Sequence, residues 1–212
     1  MLWRHGQTVW NAEHRFQGQS DIPLDTTGEA QAERAARLLA ALRPSLIASS
    51  DLQRATMTAA PLARLTGIEV GVDKDLRERF GGRWEGLTDT EIREQFPAEY
   101  ASWEVPDGET SAVVAHRAKA AMQRVADALA PGALAVVVSH GAAIRLVSAV
   151  LAGVDGSFAL DHHLANTESV VLAPITDGRW SCVQWSTLTP PFYPEPDVHP
   201  VEDALQSADP MG

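Results

Sequence analysis

The sequence predicts an α/β fold, a three-layer α/β/α sandwich built on a mostly parallel sheet. Three observations carry that prediction. Short apolar runs bounded by turn residues alternate with longer stretches of helical apolar period, the pattern of strands joined by crossover helices. The first run ends at Trp3 and is followed at once by Arg4-His5-Gly6. That places polar chemistry at a strand's carboxyl end, where open α/β sheets bind ligands. A length of 212 residues, 45% of them hydrophobic, suffices for one domain with a sizeable core.

Met1, Leu2 and Trp3 read as the end of a buried strand, and His14 to Leu24 as a polar loop with Gln17-Gly18-Gln19 in the middle. Thr26-Thr27-Gly28-Glu29 has the capping-box pattern and opens a helix to about Arg43, with Ala35, Leu38, Leu39 and Leu42 at helical spacing. Leu46 to Ser50 is a short strand. Ser50-Asp51-Leu52-Gln53 repeats the capping pattern, which puts Arg54 in the first turn of a helix ending at Gly67. From there its cation and the backbone amides would point together at a bound anion. Ile68 to Val72 reads as another strand.

Residues 73 to 110 are the least regular stretch, with a short helix predicted from Thr88 to Phe96 and a turn at Pro106-Asp107-Gly108. A long helix follows from about Ser111 to Ala130, then the strand Leu134 to Ser139 and the helix Ala142 to Ala152. Glu168 to Ile175 and Trp180 to Ser186 read as a hairpin turning at Thr176-Asp177-Gly178-Arg179. Beyond residue 186, Pro190, Pro191, Pro194, Pro196, Pro200 and Pro210 argue against packing, so 187–212 reads as a mobile or draped acidic tail on a 1–186 domain. No internal repeat is apparent.

Net charge is −11, and the tail carries Glu195, Asp197, Glu202, Asp203 and Asp209 with no Lys or Arg. Such a balance argues against nucleic acid and against an anionic membrane, both of which are bound by clustered cations. Any anion site must be a local basic pocket. Cys182 is the only cysteine, which excludes an intramolecular disulfide and fits a reducing cytoplasm; no apolar stretch reaches the ~20 residues of a membrane span. The His162-His163 pair has no carboxylate or cysteine at ligand spacing, and adjacent residues diverge, so it reads as surface and no metal is expected. Cys182, in an alternating strand, reads as a half-buried thiol.

The residue types at the first strand's end suit phosphate chemistry. Arg4 can clamp phosphoryl oxygens bidentately, His5 can attack phosphorus, and Gly6 admits close backbone approach. The tripeptide alone is a weak signal, but three further stretches give it context. Ser49-Ser50-Asp51-Leu52-Gln53-Arg54-Ala55 follows a strand, Leu76-Arg77-Glu78 precedes the glycine-rich Phe80 to Gly86, and Val138-Ser139-His140-Gly141 follows another apolar run. Together these resemble the histidine phosphatase superfamily, also called phosphoglycerate mutase-like, over about residues 1 to 186, and four linked motifs are far more specific than one.

The resemblance implies the phosphoglycerate mutase-like fold and a phosphomonoesterase working through a phosphohistidine. It implies His5 as nucleophile, His140 on the neighbouring strand end binding the phosphoryl group, and Arg4 and Arg54 as an oxyanion clamp. Glu78 becomes the proton donor to the leaving oxygen; Glu85 is its rival, but the resemblance does not mark the Trp84-Glu85-Gly86 portion as catalytic, so Glu85 reads as structural. Asn11 and Gln17 match positions that contact phosphate or substrate, and Gly6, Gly18 and Gly141 fall in the same substrate-binding set. No cofactor or metal is implied, the expected partner is a small phosphorylated metabolite, and a homodimer is left open. Family members carry several more strand residues ahead of Arg-His-Gly, so a start upstream of Met1 is expected.

Residue chemistry adds its own expectations. An imidazole whose one ring nitrogen bonds a backbone acceptor keeps the other free to attack near neutral pH. Transferring phosphoryl charge spreads over three oxygens, so positioned cations supply most of the catalysis; the bland reading of the two arginines is as solvated surface groups. Burial of Glu78 beside that charge would favour its protonated form. Arg77, Arg79, Arg83 and Trp84 fit either the non-phosphate part of a substrate or a solvated loop. Two other readings stay open: a phosphoglycerate mutase, against which stand Glu78-Arg79-Phe80-Gly81-Gly82 and the absence of a long basic insert, and a non-catalytic phospholigand binder, against which stands the full set of motif residues.

Overall fold

A computed structural model describes residues 1–105, 107–154, 163–175 and 180–185. Its strands are β1 (Leu2–Arg4), β2 (Leu46–Ser49), β3 (Val70–Val72), β4 (Ala135–Ser139), β5 (Ser169–Pro174) and β6 (Trp180–Trp185). Its α-helices are α1 (Val9–Ala12), α2 (Thr26–Ala41), α3 (Gln53–Thr66), α4 (Asp89–Gln95), α5 (Pro97–Ser102), α6 (Ser111–Asp127) and α7 (Gly141–Ala152). The strands form one sheet in the order β3-β2-β4-β1-β5-β6. The first four of these neighbours are parallel, and β5 runs antiparallel to both β1 and β6. The predicted mostly parallel α/β sheet is therefore present.

Helices cover both faces of the parallel strands, which is why β4 is buried at every position instead of alternating. On one face Ala35, Ala36 and Leu39 of α2 and Ala55, Ala59 and Leu62 of α3 pack on Trp3, Ile47, Val136 and Val138. On the other, Ala118, Ala121 and Met122 of α6 and Ile144, Val147 and Leu151 of α7 pack on Leu2, Ala48, Val137 and Val170. The strand period of two assigns Leu2 and Trp3, or Ile47 and Ala48, to opposite layers. Register then sets the site: Arg4 pairs with Ser139, and Ser49 with Val138, so the ends of β1, β4 and β2 emerge side by side.

The segment between β3 and α6 has a small core of its own. Trp84, Ile92 and Val105 are buried against Phe16, Leu87, Phe96 and Tyr100, and the Trp84 ring meets Phe16 and Trp103 edge-on at 5.9 and 5.2 Å. The irregular stretch is thus a packed roof, and Trp84 is core, neither a substrate contact nor part of a solvated loop. Arg83 pairs with Asp107 and lies over the Phe96 ring, while buried Arg79 donates to the carbonyls of Glu109 and Trp103.

Several boundaries differ from the sequence reading for identifiable reasons. The predicted capping box at Thr26 gives way to Asp25, whose carboxylate accepts the Gly28 amide at 2.7 Å. The helix α3 is not capped by Ser50: its N-cap is Leu52, and the free Gln53 amide finds Asp21 at 2.7 Å across the chain. Helix α1, which the sequence reading does not include, forms because Thr8 and Asn11 make a capping box, and α5 starts on Pro97, well suited to a first helical turn. The Thr88–Glu91 box does open α4. The hairpin is formed by β5 and β6, with a register shift between Val171 and Leu172. Its turn, Pro106, Ser186, His162 and the tail lie outside the described residues. Among the described residues, no helix is long and apolar enough to cross a membrane.

Candidate active site

His5 follows β1 and is 3% exposed. Its Nδ1 lies 2.7 Å from the Gly6 carbonyl oxygen. A carbonyl can only accept, so Nδ1 carries the hydrogen and Nε2 keeps its lone pair. The Gly6 amide donates to Thr58 Oγ1 at 3.0 Å, and a Cβ on Gly6 would stand 2.6 Å from the Gly28 carbonyl oxygen, which only glycine avoids. Asn166 Nδ2 donates to the His5 carbonyl at 3.0 Å and completes the backbone's fixation.

Arg54, the second residue of α3, is fully buried. Its Nη1 and Nη2 donate to the carbonyls of Ser20 and Gly18 at 2.8 and 2.7 Å, and its Nε donates to His140 Nδ1 at 3.2 Å. A guanidinium only donates, so His140 holds its proton on Nε2. That Nε2 is buried and has no partner among the described residues, and neither has the buried Nε of Arg4. The His5 and His140 rings stand 5.1 Å apart, centroid to centroid. Arg4 also donates to the Leu164 carbonyl.

Charge follows from this burial. Burial, then Arg54 and then Arg4 push the His5 pKa well below 6.5, and burial, then Arg54 and then His5 do the same for His140. Arg4 and Arg54 are lowered by burial to about 10, with Glu78 opposing, and so stay cationic at neutral pH. The centre is two neutral imidazoles and two cations. Glu78, half-buried, closes one side. Its carboxylate accepts the amides of Arg79 (2.8 Å), Ala142 (3.0 Å) and Ala143 (3.1 Å), the latter two at the amino end of α7 where amides lack helical partners.

The predicted residues therefore gather unequally. Arg4, His5, Gly6, Arg54, Glu78, His140 and Gly141 converge at the ends of β1 and β4; a Cβ on Gly141 would lie 3.5 Å from Arg4 Nε, an ordinary contact. Asn11 and Gln17 are tied in through Thr8: Asn11 Oδ1 accepts the Thr8 amide at 3.1 Å and Gln17 Oε1 accepts its hydroxyl at 3.0 Å. Gly18, at φ +53°, supports Arg54 through its carbonyl, and a side chain there would collide with Glu85. Glu85 accepts the Gln19 and Gly81 amides and the Ser20 hydroxyl at 2.8, 3.0 and 2.6 Å, a tether between loop and roof. Arg77 is bound to Asp51 through both its Nε and Nη2, each at 2.6 Å.

Sequence reasoning missed Thr58, Asn166 and Arg145. Thr58 had a usable signal, one helical turn after Arg54 on the same face. Arg145 on α7 is a cation whose burial lowers its pKa and which feels Glu78. Elsewhere, Cys182 is half-buried and its pKa is raised by that burial, and His163 is exposed. Among the described residues, no group of three or more His, Cys, Asp and Glu could hold a metal ion.

Strand ends that gather two cations, one fully and one partly buried, and two neutral imidazoles are built to receive an anion, and the class they define is that of phosphate-ester enzymes. The model of the histidine phosphatase superfamily (branch 1) matches residues 1–188. A glucosyl-3-phosphoglycerate phosphatase of Mycobacterium tuberculosis is 38% identical over 164 residues, 71% of this chain and 74% of that protein. A probable phosphoglycerate mutase GpmB of Shigella boydii is 34% identical over 191 residues, 87% and 88% of the two chains. The solved mycobacterial glucosyl-3-phosphoglycerate phosphatase Rv2419c in complex with VO3 superposes with a TM-score of 0.81 at 33% identity, covering 87% of this chain and 97% of that one. The chain belongs to the histidine phosphatase superfamily, and its enzyme class is that of the phosphoric monoester hydrolases.

Proposed function

We propose that this protein is a cytoplasmic, metal-independent phosphomonoesterase that hydrolyses a small phosphorylated metabolite through a phosphohistidine on His5. The observation that carries the reading is the opposite tautomers of the two imidazoles. His5 offers a lone pair and His140 an N–H, both beside Arg4 and Arg54. In the first step His5 Nε2 attacks phosphorus and the ester P–O bond breaks, while Glu78 protonates the leaving oxygen. Arg4, Arg54 and the His140 N–H take up charge on the transferring oxygens. In the second step water attacks phosphorus, gives its proton to the Glu78 carboxylate, and the P–N bond breaks.

The relatives named for glucosyl-3-phosphoglycerate make that ester the first substrate to assay. Those named as mutases raise a second reading, in which the phosphoryl group returns to the substrate. Against it stand the roof arginines: Arg77, Arg83 and Arg93 are paired with Asp51, Asp107 and Asp89, and Arg79 is spent on carbonyls. The test of covalent catalysis is phosphoryl labelling. Wild type should trap an acid-labile, base-stable label and hydrolyse p-nitrophenyl phosphate in the presence of chelators, and His5→Ala should do neither. A label surviving in the variant would refute the nucleophile, and activity lost to chelation and restored by zinc or magnesium would refute metal independence.

A further inference from the structure

We propose that Arg117, on α6, is a positioning residue that presents Glu78 to the reaction centre by clamping the backbone carbonyls of residues 75, 77 and 78. The inference rests on the phosphomonoesterase reading, in which Glu78 moves the proton. The Glu78 segment crosses from β3 to the roof with one short turn of 3-10 helix, Lys74–Leu76, so its carbonyls lack a ladder or helix to satisfy them. Side chains do so instead. Arg117 Nη1 donates to the carbonyls of Asp75 and Arg77 at 2.9 and 2.6 Å, and its Nη2 to that of Glu78 at 2.8 Å. Ser139 Oγ donates to the Leu76 carbonyl at 2.8 Å, and Gln19 Nε2 also donates to the Glu78 carbonyl at 3.1 Å. Four successive carbonyls are thus held from three separate elements.

The clamp is itself aimed. Arg117 Nε and Nη2 donate to the two carboxylate oxygens of Glu109 at 2.8 and 2.7 Å, and Glu109 Oε2 also accepts the Phe80 amide at 2.9 Å. Both side chains are mostly buried, with 14% and 19% exposure, so the pair is shielded from water's screening. A guanidinium is a rigid fork of five donors and can meet three carbonyls and a carboxylate at once; an ammonium cannot. The α6 helix bearing it is fixed by Ala118, Ala121 and Met122 in the core, and Leu76 joins that core from the segment itself. Arg117 touches neither His5 nor the phosphoryl-binding arginines through any hydrogen bond among the described residues. Its charge also helps to lower the His140 pKa, behind burial, Arg54 and His5, and Arg117→Lys keeps that charge; the loss specific to the alkyl ester would come through the placement of the Glu78 carboxylate at the α7 amino end.

The experiment compares an alkyl phosphate, whose alkoxide needs a proton to leave, with p-nitrophenyl phosphate, which scarcely does, in Arg117→Lys and Arg117→Met. Misplacing a catalytic group by about 1 Å costs on the order of 10²-fold, so kcat on the alkyl ester should fall by about that factor with KM little changed, and the aryl ester should lose much less. In a Glu78→Gln background, Arg117→Met should take away little more. Equal losses on both esters, additive with Glu78→Gln, would mean a generally structural arginine and would overturn the proposal; so would unchanged kinetics. Circular dichroism identifies a variant that fails to fold, in which case Arg117→Lys, which retains charge and most of the stem, decides. Wild type inactive on every phosphate ester would instead sink the phosphatase reading and this one with it.

Discussion

Arg54 Nε donates to His140 Nδ1 across 3.2 Å, and that bond fixes which nitrogen of His140 holds the proton. The same guanidinium keeps its other nitrogens on the carbonyls of Ser20 and Gly18, so it is oriented before any ligand arrives. Lysine cannot reproduce this: one ammonium would leave His140 Nδ1 or the carbonyls unpaired in a fully buried place. Arg54→Lys should therefore lower kcat/KM on p-nitrophenyl phosphate by about 10²- to 10³-fold, the usual cost of a lost oxyanion donor, and weaken vanadate inhibition in parallel. Near wild-type kinetics with vanadate unaffected would remove Arg54 from the clamp.

The histidines also set an acid limit on stability. Burial, then Arg54, holds both below their ordinary value of 6.5 in the folded chain, whereas the unfolded chain protonates them near it. Below that pH the unfolded state binds more protons, so stability falls as pH drops, by up to about 1.4 kcal/mol per histidine per pH unit. The melting temperature should decline between pH 6.5 and 5, before carboxylates such as Asp51, lowered chiefly by its hydrogen bond from Arg77, lose their contribution further down. His140→Asn should shallow that slope by about half below pH 6, where one of the two histidines is gone and the Met1 amine, lowered by burial to about 6, no longer adds to it. An unaltered slope would locate the acid lability elsewhere.

What the sequence disclosed and what it hid divide along physical lines. Apolar runs and helical periods locate β1, β2, β4 and the long helices, because burial on both sheet faces writes directly into residue type. The strand-end positions of His5 and His140 follow from those elements plus local motifs. The caps were less legible: Asp25 and Asp21 serve α2 and α3, and Asp21 is remote in sequence from the amide it satisfies. So is Asn166 from His5. The roof reads as irregular because its core residues Phe16, Trp84, Ile92 and Val105 are spread without a period, and residue type alone does not show that most of its arginines are held by carboxylates or carbonyls.

Glu78 can be tested by the leaving group alone. Its carboxylate is held by the amides of Arg79, Ala142 and Ala143, and glutamine can keep the acceptor geometry at one oxygen while losing the acid. Glu78→Gln should slow alkyl phosphates much more than p-nitrophenyl phosphate, and the difference should be a sizeable part of the ~10²- to 10⁴-fold that general acid catalysis supplies. Equal slowing would point to Glu85 instead, whose present bonds to Gln19, Ser20 and Gly81 tie it to structure.

Hydrolysis and mutation of phosphoglycerate differ in what the roof must do after the first transfer. A mutase keeps its phosphohistidine from water while a bound phospho-acid reorients, and that takes free cations to hold the carboxylate and the second phosphate. In this roof Arg77 is bound to Asp51 through two nitrogens, Arg83 and Arg93 are paired with Asp107 and Asp89, and Arg79 is buried on carbonyls. Freeing Arg77 leaves Asp51 without its hydrogen-bonded partner, about 1–3 kcal/mol, while the half-exposed pairs of Arg83 and Arg93 hold them by at most about 1 kcal/mol each. Such a roof holds a bisphosphate poorly. Incubated with 3-phosphoglycerate and 2,3-bisphosphoglycerate, the enzyme should release inorganic phosphate or leave both untouched, with no equilibration to 2-phosphoglycerate. Isomerisation running much faster than phosphate release would reverse the assignment, and the roof arginines would then have to exchange their carboxylate partners for substrate in the complex.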